Sequence, residues 1–132
     1  MFIIEIEEDK LSFDNKNDLN EYLKNLYSKN YFKKLINIID SKTKNKLELS
    51  FYNKDKSFLF FNPNDEILDM MVSFDKDNKK KDKSINLYEF EDVLVSRFKE
   101  FNLIDYEIAL KIIDEFLDES KIDNYKYCFH IW

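Results

Sequence analysis

The chain has 132 residues, of which 44% are apolar and 17% aromatic, and it carries a formal net charge of −6. This length provides enough apolar material for one core, so we expect a single domain over residues 1–132. There is no glycine and only one proline, Pro63, which excludes the glycine-rich loops that cradle phosphates or dinucleotides. The negative charge argues against direct binding to nucleic acid or to an anionic membrane.

Two features of the sequence bear on its compartment. Cys128 is the only cysteine, so no internal disulfide can form. The apolar run at residues 2–6 is followed at once by acidic residues, unlike a signal peptide, and no stretch approaches the roughly 20 apolar residues of a membrane span. We therefore predict a cytoplasmic protein.

The first part of the chain predicts one strand and one helix. The β-branched run at residues 2–6 predicts a strand that ends in a turn at residues 8–10. A helix is expected next, capped by Asp18 with Glu21 three residues later. Its apolar positions share one face: Leu19, Tyr22, Leu23 and Leu26.

From Leu35 onward the pattern is typical of strands. Three short runs are rich in β-forming residues, and polar clusters of hairpin-loop length separate them: "LINIID", "KLELSFY" and "SFLFF". In the second run Leu47, Leu49 and Phe51 alternate with polar residues, which predicts a strand with one buried face. The run "EILDMMVSF" predicts a further strand or a helical turn, and three later runs also predict strands: "SINLYEF", "VLVSRFKEF" and "YKYCFHIW".

A second amphipathic helix is predicted between Asp105, its expected N-cap, and Ser120. Its broad apolar stripe must lie on a sheet: Ile108, Ala109, Ile112, Ile113, Phe116 and Leu117. Together these elements predict an α+β fold, an antiparallel β-sheet meander with two helices packed on it.

The last turns of this helix carry an unusual concentration of acid. Negative charge is unfavourable at a helix C-terminus, by about 0.3–1 kcal/mol for each exposed carboxylate, because the peptide dipoles already place negative charge there. Only Lys111 and Lys121 are close in sequence. The four acidic residues are Asp114, Glu115, Asp118 and Glu119.

The segment from Leu103 to Trp132 resembles the C-terminal signature of immunity proteins from bacterial polymorphic-toxin and contact-dependent inhibition systems. In that family a helix carries an alanine-leucine pair and then a phenylalanine-leucine pair, and a short segment ending in tryptophan follows. The matching residues here are Ala109-Leu110, Phe116-Leu117 and Trp132. The family usually has a glycine after the second pair, where this chain has Glu119-Ser120.

The resemblance implies a cytoplasmic, non-enzymatic protein without cofactors that binds one cognate toxin and neutralises it. A basic, nuclease-like toxin would account for the helix-end acids, because an acidic patch steers and selects a cationic partner. The expected contact residues are Asp114, Glu115, Asp118, Glu119 and Trp132. Simple solvation of the acids and packing of Trp132 are the alternatives. A phage-encoded acidic inhibitor of a nucleic-acid-targeting defence complex would use the same surface physics.

Other candidate chemistry has little support in the sequence. Cys128 and His130 stand two apart on a predicted strand, roughly 6–7 Å from each other, which is too far for a thiolate–imidazole pair. Neither has the partners of a zinc site. Asp75 and Asp77 lack the glycine and glutamate of a calcium loop. Arg97, the only arginine, suits an ion pair or an interface contact. We predict no catalytic residue and no metal ligand.

Overall fold

A computed structural model of the chain describes residues 1–64, 68, 70–75, 77, 81, 83–85, 98–122 and 130–131. Its strands are β1 (Phe2–Ile6), β2 (Asp9–Phe13), β3 (Ile36–Asp40), β4 (Lys46–Phe51), β5 (Lys56–Asn62), β6 (Met71–Val72), β7 (Ile104–Asp105) and β8 (His130–Ile131). They form one antiparallel sheet in the order β2-β1-β3-β4-β5-β6-β8, and β7 also pairs with β5. Two helices, α1 (Lys16–Ser28) and α2 (Tyr106–Glu119), complete the α+β fold that the sequence predicts.

The meander of β3, β4 and β5 confirms the strands predicted after Leu35. In β4, Leu47, Leu49 and Phe51 are fully buried against the helices. The opposite face of β5 is also covered, since Phe58 packs in a second apolar cluster together with Leu103. A strand whose two faces are both buried reads as a continuous apolar run, which explains why "SFLFF" shows no alternation.

The turn predicted at residues 8–10 lies slightly earlier, and the strand that follows it was not predicted. The chain reverses at Glu7 and Glu8 and continues directly into β2. Strand β2 is antiparallel to β1, with Asp9 opposite Ile6 at the turn and Phe13 opposite Phe2 at the far end. Four of the five residues of β2 are exposed. An exposed strand has no buried face to impose alternation, so the sequence carries no apolar signal for it.

Helix α1 begins three residues earlier than predicted, because its N-cap is Asn15 rather than Asp18. Asn15 accepts a hydrogen bond from the backbone N–H of Asp18 at 2.9 Å and donates one to the Asp18 carboxylate at 3.1 Å. Asp18 therefore lies in the first turn, where the helix dipole favours a negative charge. Leu19 and Leu23 are fully buried, as the apolar face predicts.

The second half of the sheet is only partly described. Of the run "EILDMMVSF", Met71–Val72 form the two-residue strand β6. Residues 93–97 of the run "VLVSRFKEF" lie outside the described residues; in the rest of the run Lys99 forms an isolated bridge with Ser84, and a 3-10 turn follows at Glu100–Asn102. Of "YKYCFHIW", His130–Ile131 form β8 beside β6. The predicted strand "SINLYEF" falls, after its first two residues, outside the described residues.

Helix α2 lies with its predicted apolar stripe on the sheet. Its buried residues are Ala109, Ile112, Ile113, Phe116 and Leu117. The helix ends at Ser120, whose φ of 56° is left-handed, a conformation that glycine usually adopts at helix ends. The N–H of Ser120 donates to the carbonyl of Phe116 at 2.7 Å, which closes the last turn.

Candidate functional site

The two helices run antiparallel across the same face of the sheet. Lys16, at the start of α1, contacts Asp114 and Asp118 near the end of α2. At their other ends, Tyr27 of α1 stacks on Tyr106 of α2, with ring centroids 3.8 Å apart and planes 12° from parallel. The acidic end of α2 therefore lies beside the N-terminus of α1, where the helix dipole favours negative charge.

Lys16 forms a forked ion pair with two of the four acids. Its Nζ lies 2.9 Å from Oδ1 of Asp118 and 3.3 Å from Oδ1 of Asp114. The hydrogen bond to Asp118, and to a lesser degree the contacts with Asp114, raise the pKa of Lys16. The amide of Asn20 also donates to Asp114 at 3.3 Å. Lys111 and Lys121, the neighbours in sequence, are thus not the only cations at this site.

The four acids of the predicted site differ in exposure. Glu119 is exposed at the end of α2 and Glu115 is half-buried, while Asp114 is half-buried and Asp118 exposed. The structure thus brings all four carboxylates to one end of the helix layer. We call Asp114, Glu115, Asp118 and Glu119 the acidic cluster.

A buried asparagine fixes the end of α2 to the sheet. Asn45, which is 4% exposed, donates its side-chain amide to the carbonyl of Ser120 at 2.7 Å and accepts the N–H of Asn64 at 2.7 Å. The hydroxyls of Thr43 and Ser120 share a hydrogen bond of 2.6 Å. These contacts join the β3–β4 loop to the helix end and hold the acidic cluster in a defined position.

Asp40, at the end of β3, takes part in the same polar network. Its partial burial alone would raise the pKa of its carboxyl group. Hydrogen bonds from the Ser120 side chain and from the backbone N–H groups of Lys42 and Thr43 outweigh burial, and the pKa of Asp40 is lowered. The network therefore favours a charged carboxylate beneath the end of α2.

The opposite end of the helix layer contains a cleft of about 630 Å³ beside the stacked tyrosines. Asp105 occupies the N-cap position of α2, as predicted, yet its side chain makes no capping hydrogen bond. It pairs instead with Lys56, at 2.6 Å from Nζ to Oδ1. Burial, and secondarily Tyr27, raise the pKa of Tyr106 in the cleft wall. The mixed charges of this cleft indicate no particular ligand.

Several candidates from the sequence lie outside the described residues. These are Trp132, Cys128 and Arg97. The backbone of His130 lies in β8, opposite Val72. Asp75 accepts the N–H of Asp77 at 3.0 Å in a local turn. Within the described residues, no group of three or more His, Cys, Asp or Glu side chains is placed to hold a metal ion.

Sequence reasoning missed the residues that organise the site. Lys16 lies 102 positions from Asp118, and Asn45 lies 75 positions from Ser120. Neither pairing has a local pattern. Had the antiparallel packing of the two helices been known, it would have suggested Lys16 as a partner of the acids, because it places the start of α1 beside the end of α2.

Comparison of the chain with protein-family models, with curated proteins and with solved structures finds no match. Among the described residues, no helix has the length and apolar character needed to cross a membrane.

Proposed function

We propose that the chain is a non-enzymatic, cytoplasmic immunity protein that binds a cognate bacterial toxin one to one and neutralises it. The observation that carries this proposal is the acidic cluster, four carboxylates within residues 114–119. The resemblance of residues 103–132 to immunity proteins supports the same class. The partner that suits the cluster is a basic, nuclease-like protein.

Asp114 and Asp118 keep an excess of negative charge after their pairing with Lys16. Lys16 contributes one positive charge to Asp114 and Asp118, so it offsets one of the two negative charges of this pair. Asp118 and Glu119 are exposed. Charges of one sign on an exposed surface accelerate encounter with a cationic partner, and this acceleration weakens as salt rises.

The anchored helix end also favours binding. Asn45 and Thr43 hold Ser120, which fixes the backbone at this end of α2, and Lys16 holds the side chain of Asp118. Ordering a side chain at an interface costs about 0.5–1.5 kcal/mol, and a preformed surface avoids part of that cost. Neutralisation then requires only that the bound chain cover the basic cleft of the toxin, so the protein itself performs no reaction.

The first experiment is capture of the partner. The tagged protein is expressed in its own bacterium and the captured proteins are identified by mass spectrometry. A basic toxin recovered at equal stoichiometry, whose activity the purified protein abolishes, is the expected result. Recovery of a nucleic-acid-targeting defence complex would instead support the phage-encoded inhibitor. A purified toxin that stays fully active at equimolar protein would contradict the proposal.

The acidic cluster is then tested by association kinetics. We expect Asp118→Asn with Glu119→Gln to slow association with the captured toxin by about tenfold at low salt and to flatten its salt dependence. Lys16→Gln should have the opposite effect, because it removes the internal cation. Glu7→Gln with Glu8→Gln, in the β1–β2 turn, changes the net charge equally and should leave the rate unchanged. Equal rates for all variants across a salt series would exclude the cluster from the interface.

A further inference from the structure

The sheet has one edge that is well placed to pair with another strand. Strand β2 is the first in the strand order, and within the described part of the chain only β1 pairs with it. Asp9, Lys10, Leu11 and Ser12 are all exposed. An exposed edge strand presents backbone N–H and C=O groups that another strand can bind.

The pairing register shows which backbone groups face outward. Ile6 and Asp9 flank the two-residue turn and pair with each other, and residues in that position form a hydrogen-bonded pair. The backbone groups of Asp9, Leu11 and Phe13 therefore face β1. Those of Lys10 and Ser12 face outward, one residue to either side of Leu11.

We propose that this edge pairs with β2 of a second copy, so that the protein forms a twofold dimer through one continuous sheet. When two copies of β2 run antiparallel about Leu11, Lys10 of one lies opposite Ser12 of the other, and Ser12 opposite Lys10. These are the residues whose backbone groups face outward, so both pairs form hydrogen bonds. Leu11 of one copy lies opposite Leu11 of the other, at the twofold axis between these two pairs.

The side chains suit this self-pairing. In the paired register Lys10 faces Ser12 and Asp9 faces Phe13, so no like charges stand directly opposite each other. Lys10 is held toward its own sheet by Glu5, at 3.5 Å from Nζ to Oε2. Leu11 is a large apolar side chain that is 36% exposed, and contact with its copy would shelter both.

Helix α1 packs on the sheet next to this edge. Tyr22 of α1 packs on Phe13, with ring centroids 5.4 Å apart, and an open depression runs along the same helix, lined by Glu21, Tyr22, Lys24, Asn25 and Ser28. The β2 edge is separate from the acidic cluster, and the inference goes beyond the proposed function.

The experiment compares Ser12→Pro with Ser12→Ala by sedimentation equilibrium from micromolar to near-millimolar protein. Proline removes an N–H that faces outward, so the β1–β2 ladder is retained, while alanine keeps that N–H. We expect the natural chain and Ser12→Ala to dimerise and Ser12→Pro to remain monomeric, with unchanged circular dichroism. A natural chain that is monomeric throughout, or a folded Ser12→Pro variant that still dimerises, overturns the proposal.

Cross-linking tests the register and does not depend on the proline variant folding. In a Cys128→Ser background, Leu11→Cys should form a disulfide dimer on mild oxidation, because directly opposite residues place their Cβ atoms about 4.5–5.5 Å apart. Ser12→Cys is the matched control, since its diagonal separation is about 7–8 Å. Equal cross-linking at both positions, or none at Leu11→Cys, contradicts the twofold pairing.

Discussion

Replacing Asn45 by alanine tests how firmly the end of α2 depends on one buried amide. The substitution removes the donor to the Ser120 carbonyl and the acceptor for the Asn64 N–H. Asn45 is 4% exposed, but its two hydrogen bonds are only part-buried, so water can replace them only in part. A buried polar group left unpaired costs about 1–3 kcal/mol. Because both partners are only partly buried, we expect a total loss of about 2–4 kcal/mol.

The chain offers a closely matched control for this substitution. The side chain of Asn53, in the β4–β5 loop, also makes two hydrogen bonds to the backbone, accepting the N–H groups of Asp55 and Lys56 at 2.8 Å each, but in an exposed position. Asn53→Ala should cost only about 0.5–1.5 kcal/mol, since water can satisfy the freed N–H groups. The two variants thus differ mainly in burial.

Urea denaturation and thermal unfolding, both followed by circular dichroism, measure the two losses. For a chain of this length, Asn45→Ala should lower the melting temperature by about 10 °C, at roughly 3–4 °C per kcal/mol, and Asn53→Ala by much less. Equal losses for the two variants would refute the argument from burial. An Asn45→Ala variant as stable as the natural chain would show that the end of α2 does not depend on this amide.

Two further predictions concern other polar contacts of the fold. The pKa of the Asp40 carboxyl group is lowered in the folded state. Its carboxylate therefore stabilises the fold fully above the unfolded-state pKa near 3.8, and this contribution is lost as the pH falls through the lower folded-state pKa. Asp40→Asn should flatten the acid side of the curve of unfolding free energy against pH, and an unchanged slope would contradict this. Ser73, fully buried, donates to the Asn102 carbonyl at 2.6 Å and accepts the Leu59 N–H at 3.1 Å, so Ser73→Ala should lower the free energy of unfolding by about 1–3 kcal/mol in urea titrations. A loss well below this range would show that other groups satisfy the two backbone partners.

The parts of the fold that bury one face were predictable from the sequence. Strand β4 alternates because one side of it meets the helices, and α2 shows its apolar stripe because that stripe lies on the sheet. Strand β2 was not predictable, since its exposed residues are under no such constraint. The N-cap of α1 was misplaced because Asn15 and Asp18 are both capping residues, and pattern alone does not choose between them.

Only those features of the candidate site that lie within α2 were predictable from the sequence. The four acids are visible in the sequence, but their relation to Lys16 depends on how α1 and α2 pack, which no local pattern contains. The same holds for Asn45, whose loop meets the end of α2 only in the folded chain. Long-range polar contacts of this kind are set by the tertiary arrangement rather than by the period of the apolar residues.

The placement of α2 has a consequence during synthesis on the ribosome. The strands up to β5 can pair as soon as Asn62 has emerged, but the apolar face that α2 covers, including Leu47 and Leu49, stays open until Glu119 follows. At about 5–20 residues per second this interval lasts roughly 3–10 s. During that time the uncovered apolar face is the part of the nascent chain that a chaperone would have to shield.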